Sequence, residues 1–165
     1  MSTGLTPAKL IGPIAALCAC LAQPAAADPC DVQTAEVVEA TGAQFVRRSR
    51  TGEGVQFSHP HAASLTMNCR DRDSLTPGRV IANVETAYPP NEFFDLVGRA
   101  AGASLKISAT DARRLAMRCH KTALASASEL AEADAKAIHV ECQSFRRDGG
   151  GTIVSVWPPE RRERP

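Results

Sequence analysis

The chain is poor in aromatic residues: its 165 positions hold one Trp, one Tyr and five Phe. So few rings leave no visible stacking platform for bases or sugars, and the core or its margin accounts for most of them. An excess of one charge is missing too. Nineteen Lys and Arg stand against eighteen Asp and Glu, and Lys9 is the only charged residue before Asp28, so residues 28–165 sum to zero. A balanced chain has no electrostatic footprint for nucleic acid or an anionic membrane. Beyond residue 27 no apolar run approaches the roughly 20 residues that a membrane-spanning helix needs. The chain contains no GxSxG, HExxH or dinucleotide fingerprint, and nothing in it calls for a cofactor. An N-x-S/T sequon is also absent, which fits a bacterial source.

What is present begins with the leader. Met1 to Lys9 is a short segment with a single charge, Leu10 to Ala22 is apolar, and Gln23-Pro24-Ala25-Ala26-Ala27 ends in the small-x-small pattern of a signal-peptidase site. Cleavage is expected between Ala27 and Asp28, giving a periplasmic or secreted protein. Leu17-Cys18-Ala19-Cys20 is similar to a bacterial lipobox, which would instead lipidate Cys20, but Cys in the middle position is atypical and the later site is better formed.

Export changes the meaning of the cysteines. Cys18 and Cys20 leave with the leader, and Cys30, Cys69, Cys119 and Cys142 remain as an even set. Their spacing is too wide for a CxxC redox pair and lacks the close couples of a zinc site. Two structural disulfides are expected, with sequence neighbours, Cys30 with Cys69 and Cys119 with Cys142, as the preferred pairs among three connectivities.

Periodicity then orders the domain, residues 28–158. A helix is expected over Asp31 to Ala40, ended by Gly42. Strands follow at Ala43–Ser49, Val55–Ser58, Ala63–Cys69 and Arg79–Thr86, the first two joined by a glycine-bearing hairpin turn. Pro89-Pro90 launches a helix over Asn91 to Ala101, closed by Gly102. A longer helix is expected from Thr110 or Asp111 to about Ala133, with Ala103–Ser108 as a connector or short strand. Ile138, Val140 and Cys142 alternate with His139, Glu141 and Gln143, and glycines 149–151 turn this strand into Thr152–Trp157. Pro158-Pro159 ends it, and the charged residues 159–165 read as a disordered tail. The expectation is one α+β domain: an antiparallel sheet of five to six strands, three helices mainly on one face, and two disulfides.

Candidate chemistry is sparse. His59-Pro60-His61 offers two imidazoles, but Pro60 marks a turn and no Cys or carboxylate stands nearby to complete a metal shell. Asp71-Arg72-Asp73-Ser74 begins like a calcium loop without its glycine or final Glu. Cys119 and His120, adjacent on a helix, diverge by about 100° and make a poor nucleophile–base pair. His139 beside Glu141 is at best a weak acid/base pair. Tyr88, Phe93 and Phe94 form the best apolar cluster for docking a partner. The leading expectation is a non-enzymatic binding module that meets another envelope or secreted protein through a sheet face or edge. Two alternatives stand beside it. A metal protein or hydrolase centred on His59, His61 or His139 requires two of these within about 4 to 5 Å of a carboxylate in a concave pocket. A passive part of an envelope assembly would be an obligate oligomer.

Overall fold

The computed structural model describes Met1 and residues 28–69, 78–147 and 149–158. The leader, the Asp71–Ser74 loop and the charged tail lie outside them. The fold starts at once: Asp28 caps helix α1 (Pro29–Thr41), its carboxylate accepting the Cys30 backbone N–H at 2.8 Å. Pro29 suits the first turn, where its missing N–H costs nothing. Gly42, at φ 74°, ends the helix by donating its N–H to the Val38 carbonyl.

Four strands follow, β1 (Gln44–Arg48), β2 (Gly54–His59), β3 (Ala62–Asn68) and β4 (Arg79–Val84). Two helices, α2 (Asn91–Leu105) and α3 (Ala109–Ala125), precede the last three strands, β5 (Leu130–Ala135), β6 (Ile138–Phe145) and β7 (Gly151–Trp157). The seven strands form one sheet in the order β1-β2-β3-β4-β7-β6-β5, each neighbouring pair antiparallel. The second block is thus joined through the β4–β7 ladder.

Strand alternation writes two apolar rows across this sheet. Val55, Met67, Val80, Val156 and Val140 are cross-strand neighbours in one, and Phe57, Leu65, Ala82, Val154 and Cys142 in the other. All ten are buried, none more than 2% exposed. Against them lie Phe93, Leu96, Val97, Ala100 and Ala101 of α2, and Ala112, Leu115, Ala116, Cys119 and Ala123 of α3. Helix stripes at 3.6-residue spacing and strand stripes at period 2 close over one core.

Both disulfides join the expected sequence neighbours. Cys30–Cys69 ties the first turn of α1 to the residue after β3, and Cys119–Cys142 pins α3 to β6 in the core with both side chains fully buried. Their Cα separations are 5.3 and 5.8 Å, within the usual range. For loops of 39 and 23 residues, restriction of the unfolded chain stabilises by about 4 and about 3 kcal/mol.

The sheet has seven strands, one more than the sequence pattern indicated, and the extra one is β5. The expected helix to Ala133 stops at Ala125: Ser126 turns extended at ψ 143° and Glu129 adopts a left-handed φ of 57°. Leu130–Ala135 is built of good helix formers, but six consecutive pairings with β6 override that propensity. In the other direction α2 does not close at Gly102; it runs to Leu105, and Lys106 at φ 58° takes the terminating left-handed position. Ala103–Ser108 is therefore helix end and connector, not strand.

Gly102 and Gly98 serve helix contact instead. A Cβ on Gly98 would stand 2.6 Å from the Ala109 carbonyl oxygen and 2.9 Å from the Arg113 Cβ, and one on Gly102 would stand 2.9 Å from the Ala109 Cβ. Ala is worth about 1 kcal/mol more than Gly in an unobstructed helix, yet Gly98→Ala should lose about 1 to 3 kcal/mol because it forces α2 from α3. Urea unfolding followed by circular dichroism checks this; a gain in stability would mean the helices do not approach so closely.

Candidate binding face and edge

With the helices on one side, the residues that alternate with the two apolar rows stand on the other. Gln56, Thr66, Ile81, Asn83, Glu141, Gln143, Ile153 and Trp157 are half-buried there, and no described element covers them. At one end of this face the sheet lines up four chemically distinct groups. Asp134 and His139 are cross-strand neighbours, as are His139 and Trp157. The His139 Nδ1 lies 2.6 Å from the Asp134 carboxylate, which orients the ring, and the imidazole and indole centroids are 4.4 Å apart. Across the indole the Arg79 guanidinium carbon stands 4.4 Å from the ring centroid, and its Nη2 is 3.7 Å from the Glu141 carboxylate. Cation–π contact of this kind contributes roughly 0.5 to 2 kcal/mol. The row braces β4, β7, β6 and β5 from the side opposite the core.

Trp157 was the least legible member. Tryptophan suggests core, yet its strand parity matches Ile153 and Ser155 and opposes Val154 and Val156, which is the signal that places it outside.

The histidines do not converge. His59 and His61 flank Pro60 in the β2–β3 turn, with ring centroids 5.3 Å apart. His139 lies on β6, four strand positions from β2, a separation of roughly 19 Å at about 4.8 Å per strand. Among the described residues only His139 has a carboxylate partner, in the row on the open face. Among the described residues no group of three or more His, Cys, Asp or Glu side chains is placed to hold a metal. His120 is buried on α3, its Nε2 2.9 Å from the Ala87 carbonyl and its ring centroid 5.3 Å from that of Phe94 in a tilted contact, while Cys119 is consumed by its disulfide.

The expected docking cluster divides. Phe93 and Phe94 are core residues, 0% and 4% exposed, because α2 turns both toward the sheet and α3. Tyr88 projects into solvent at 71% from a well-held segment. Thr152 donates its hydroxyl to the Thr86 carbonyl, His120 meets the Ala87 carbonyl, and Gly150 at φ 82° passes so close to the Ala87 N–H that a Cβ would lie 2.8 Å away.

The sheet has two free margins, neither paired with any other described strand. β5 carries Leu130, Glu132 and Asp134. β1 carries Phe45 and Val46, 54% and 49% exposed, side by side where a bulge interrupts the pairing with β2. Such a bulge places two residues opposite one and bends the strand. Beside them lies a shallow groove of 330 Å³ walled by Gln44, Val46, Gln56 and Ser58. The basic run follows: Arg47 donates to the Gln56 side chain, Arg48 is held by Asp28 and Asp31, and Arg50 has no ion-pair partner among the described residues.

Comparison with protein-family models, curated proteins and solved structures finds no match to this chain.

His59 borders the same groove. Burial first and the nearby His61 second hold its imidazole below the usual range, against the opposing hydrogen bond with the Thr41 backbone. The His61 backbone N–H donates to His59 Nδ1 at 3.2 Å, which needs that nitrogen unprotonated. The folded state therefore binds fewer protons here than the unfolded chain, so this contribution is present above pH about 6.5 and is lost as pH falls below it. Melting temperature should drop between pH 7.5 and 5.5, and His59→Gln should flatten the drop; an unchanged profile in that variant would assign the dependence elsewhere.

Proposed function

We propose that the protein is an exported, non-enzymatic binding module that holds an extended segment of another secreted or envelope protein along β1. The observation that carries this is the β1 margin itself: a strand paired on one side with β2, its outer edge met by no described strand, with two adjacent exposed apolar side chains and a groove at its flank. A free edge offers backbone N–H and C=O groups to an incoming strand, and pockets beside it select side chains. Natural edges are normally blunted by charge, and here the charge falls next to the apolar pair rather than on it. Arg47 and Arg50 fit a partner segment in which Asp or Glu alternates with apolar residues.

Two disulfides fit an oxidising compartment. Among the described residues no helix is long and apolar enough to cross a membrane. Among the described residues no histidine or metal cluster converges, so the enzymatic alternative has no geometric argument in its favour there.

A photo-crosslinking residue in place of Val46, in the full chain within its own cell envelope, tests the reading, with equivalents at Ile153 on the open face and Glu132 on β5. The expected outcome is one dominant adduct from position 46, mapped to an acidic, apolar segment of a different protein. Arg47→Glu with Arg50→Glu should reduce it at least tenfold. An adduct of two copies of this chain, β1 against the acidic β5, would replace the proposal with self-assembly, and no preference for position 46 would overturn it.

A further inference from the structure

A second concavity lies at the opposite end of the sheet. It is a groove of 730 Å³ between the start of α3 and the hairpin that joins β5 to β6, within the range that small-molecule sites occupy. Its floor is apolar: Leu115 and Ile138, each 3% exposed, with Ile107 beside them. Its rim is cationic. Lys106 stands in the α2–α3 connector, Arg114 and Arg118 on α3 and Lys136 at the tip of the hairpin wall, against a single lining carboxylate, Asp111.

Two of these cations are already engaged, Lys106 with Glu36 and Arg114 with Asp111. Arg118 and Lys136 are not: both are exposed and neither has an ion-pair partner among the described residues. They face the same groove from its two walls. Where residues 28–165 carry no net charge, this leaves a local surplus of positive charge above an apolar floor, the complement of a molecule with an oxyanion at one end and a hydrocarbon body.

We propose that this groove binds a single-chain amphiphilic anion, with its apolar body over Ile107, Leu115 and Ile138 and its phosphate or carboxylate head between Arg118 and Lys136. The site is independent of the β1 edge and stands or falls separately from it. Neither element of the recognition suffices alone. A free inorganic anion forfeits the floor, and a neutral amphiphile forfeits the two cations.

Calorimetric titration of the full chain tests this with four probes: dodecyl phosphate below its aggregation concentration, inorganic phosphate, dodecyl maltoside, and phosphatidylglycerol vesicles. Dodecyl phosphate should bind saturably at one per chain and at least a hundredfold more tightly than phosphate or the maltoside. Arg118→Glu with Lys136→Glu should weaken it at least tenfold. Ala137→Trp, which fills the groove without changing its charge, should do the same. Both variants alter exposed positions and should melt with the parent. The apolar stretch before Asp28 is common to all these chains, so binding equal in parent and variants would place the amphiphile there and overturn the proposal. Equal affinity for the maltoside would overturn the charge requirement, and binding to vesicles alone would overturn the groove in favour of a membrane surface.

Discussion

The architecture of the described residues follows from a sheet that their helices cover on only one of its sides. Ten side chains in two rows, from Val55 and Phe57 on β2 to Val140 and Cys142 on β6, are sealed beneath α2 and α3. At about 25 cal/mol per Å² of apolar surface, covering those rows is the dominant favourable term of folding. The Cys119–Cys142 bond fixes α3 against β6 at the middle of this interface, and Cys30–Cys69 holds α1 to the end of β3, so neither outlying helix can drift from the layer. One-sided covering leaves the other side and both margins without a described element over them. The Arg79, Trp157, His139 and Asp134 row then serves as a polar brace on the uncovered side, where a second apolar layer would otherwise be needed.

Much of this is legible before any coordinates. The strand phases of Leu65 and Met67, and of Val140 and Cys142, are strict alternations, and each places a cysteine at or beside the buried phase. The disulfide pairing is less legible: the sequence leaves three connectivities open with a preference for sequence neighbours, and the structure selects that one by bringing α1 to the end of β3 and α3 to β6. The start of α1 is a finer matter: Asp28 caps it, its carboxylate accepting the Cys30 backbone N–H. What escapes the pattern escapes it for physical reasons. Leu130-Ala131-Glu132-Ala133-Asp134-Ala135 has helical propensity, and only pairing with a strand of fixed register makes it β5. Gly102 looks like a helix stop, whereas its real constraint is the approach of Ala109 from another helix, which no local signal carries.

The candidate sites were less visible than the fold. His59 and His61 attract notice by proximity in sequence, yet they make a turn, and the imidazole with a carboxylate partner, His139, is distant from both. Phe93 and Phe94 are consumed by the core, so of the aromatic cluster Tyr88 alone reaches solvent. The two surfaces that carry functional argument, the β1 margin and the groove beside α3, are assembled from segments far apart in the chain. Arg118 and Lys136 share a groove only because α3 and the β5–β6 hairpin cross at one end of the sheet. Phe45 and Val46 are exposed together because β1 is the outermost strand, a position that the order of the strands sets and no local signal carries.

The central claim, that β1 is a strand margin kept open for an extended partner segment, is tested most directly by amide hydrogen exchange of the labelled chain, alone and in envelope extract. Alone, the core strands β4 and β7 should be strongly protected while β1 amides that lack a β2 partner exchange freely. In extract, protection should appear along β1, with β5 and the open face unchanged. The account is contradicted if β1 is already fully protected in the dilute isolated chain, or if the extract protects other surfaces and leaves β1 exchanging as before.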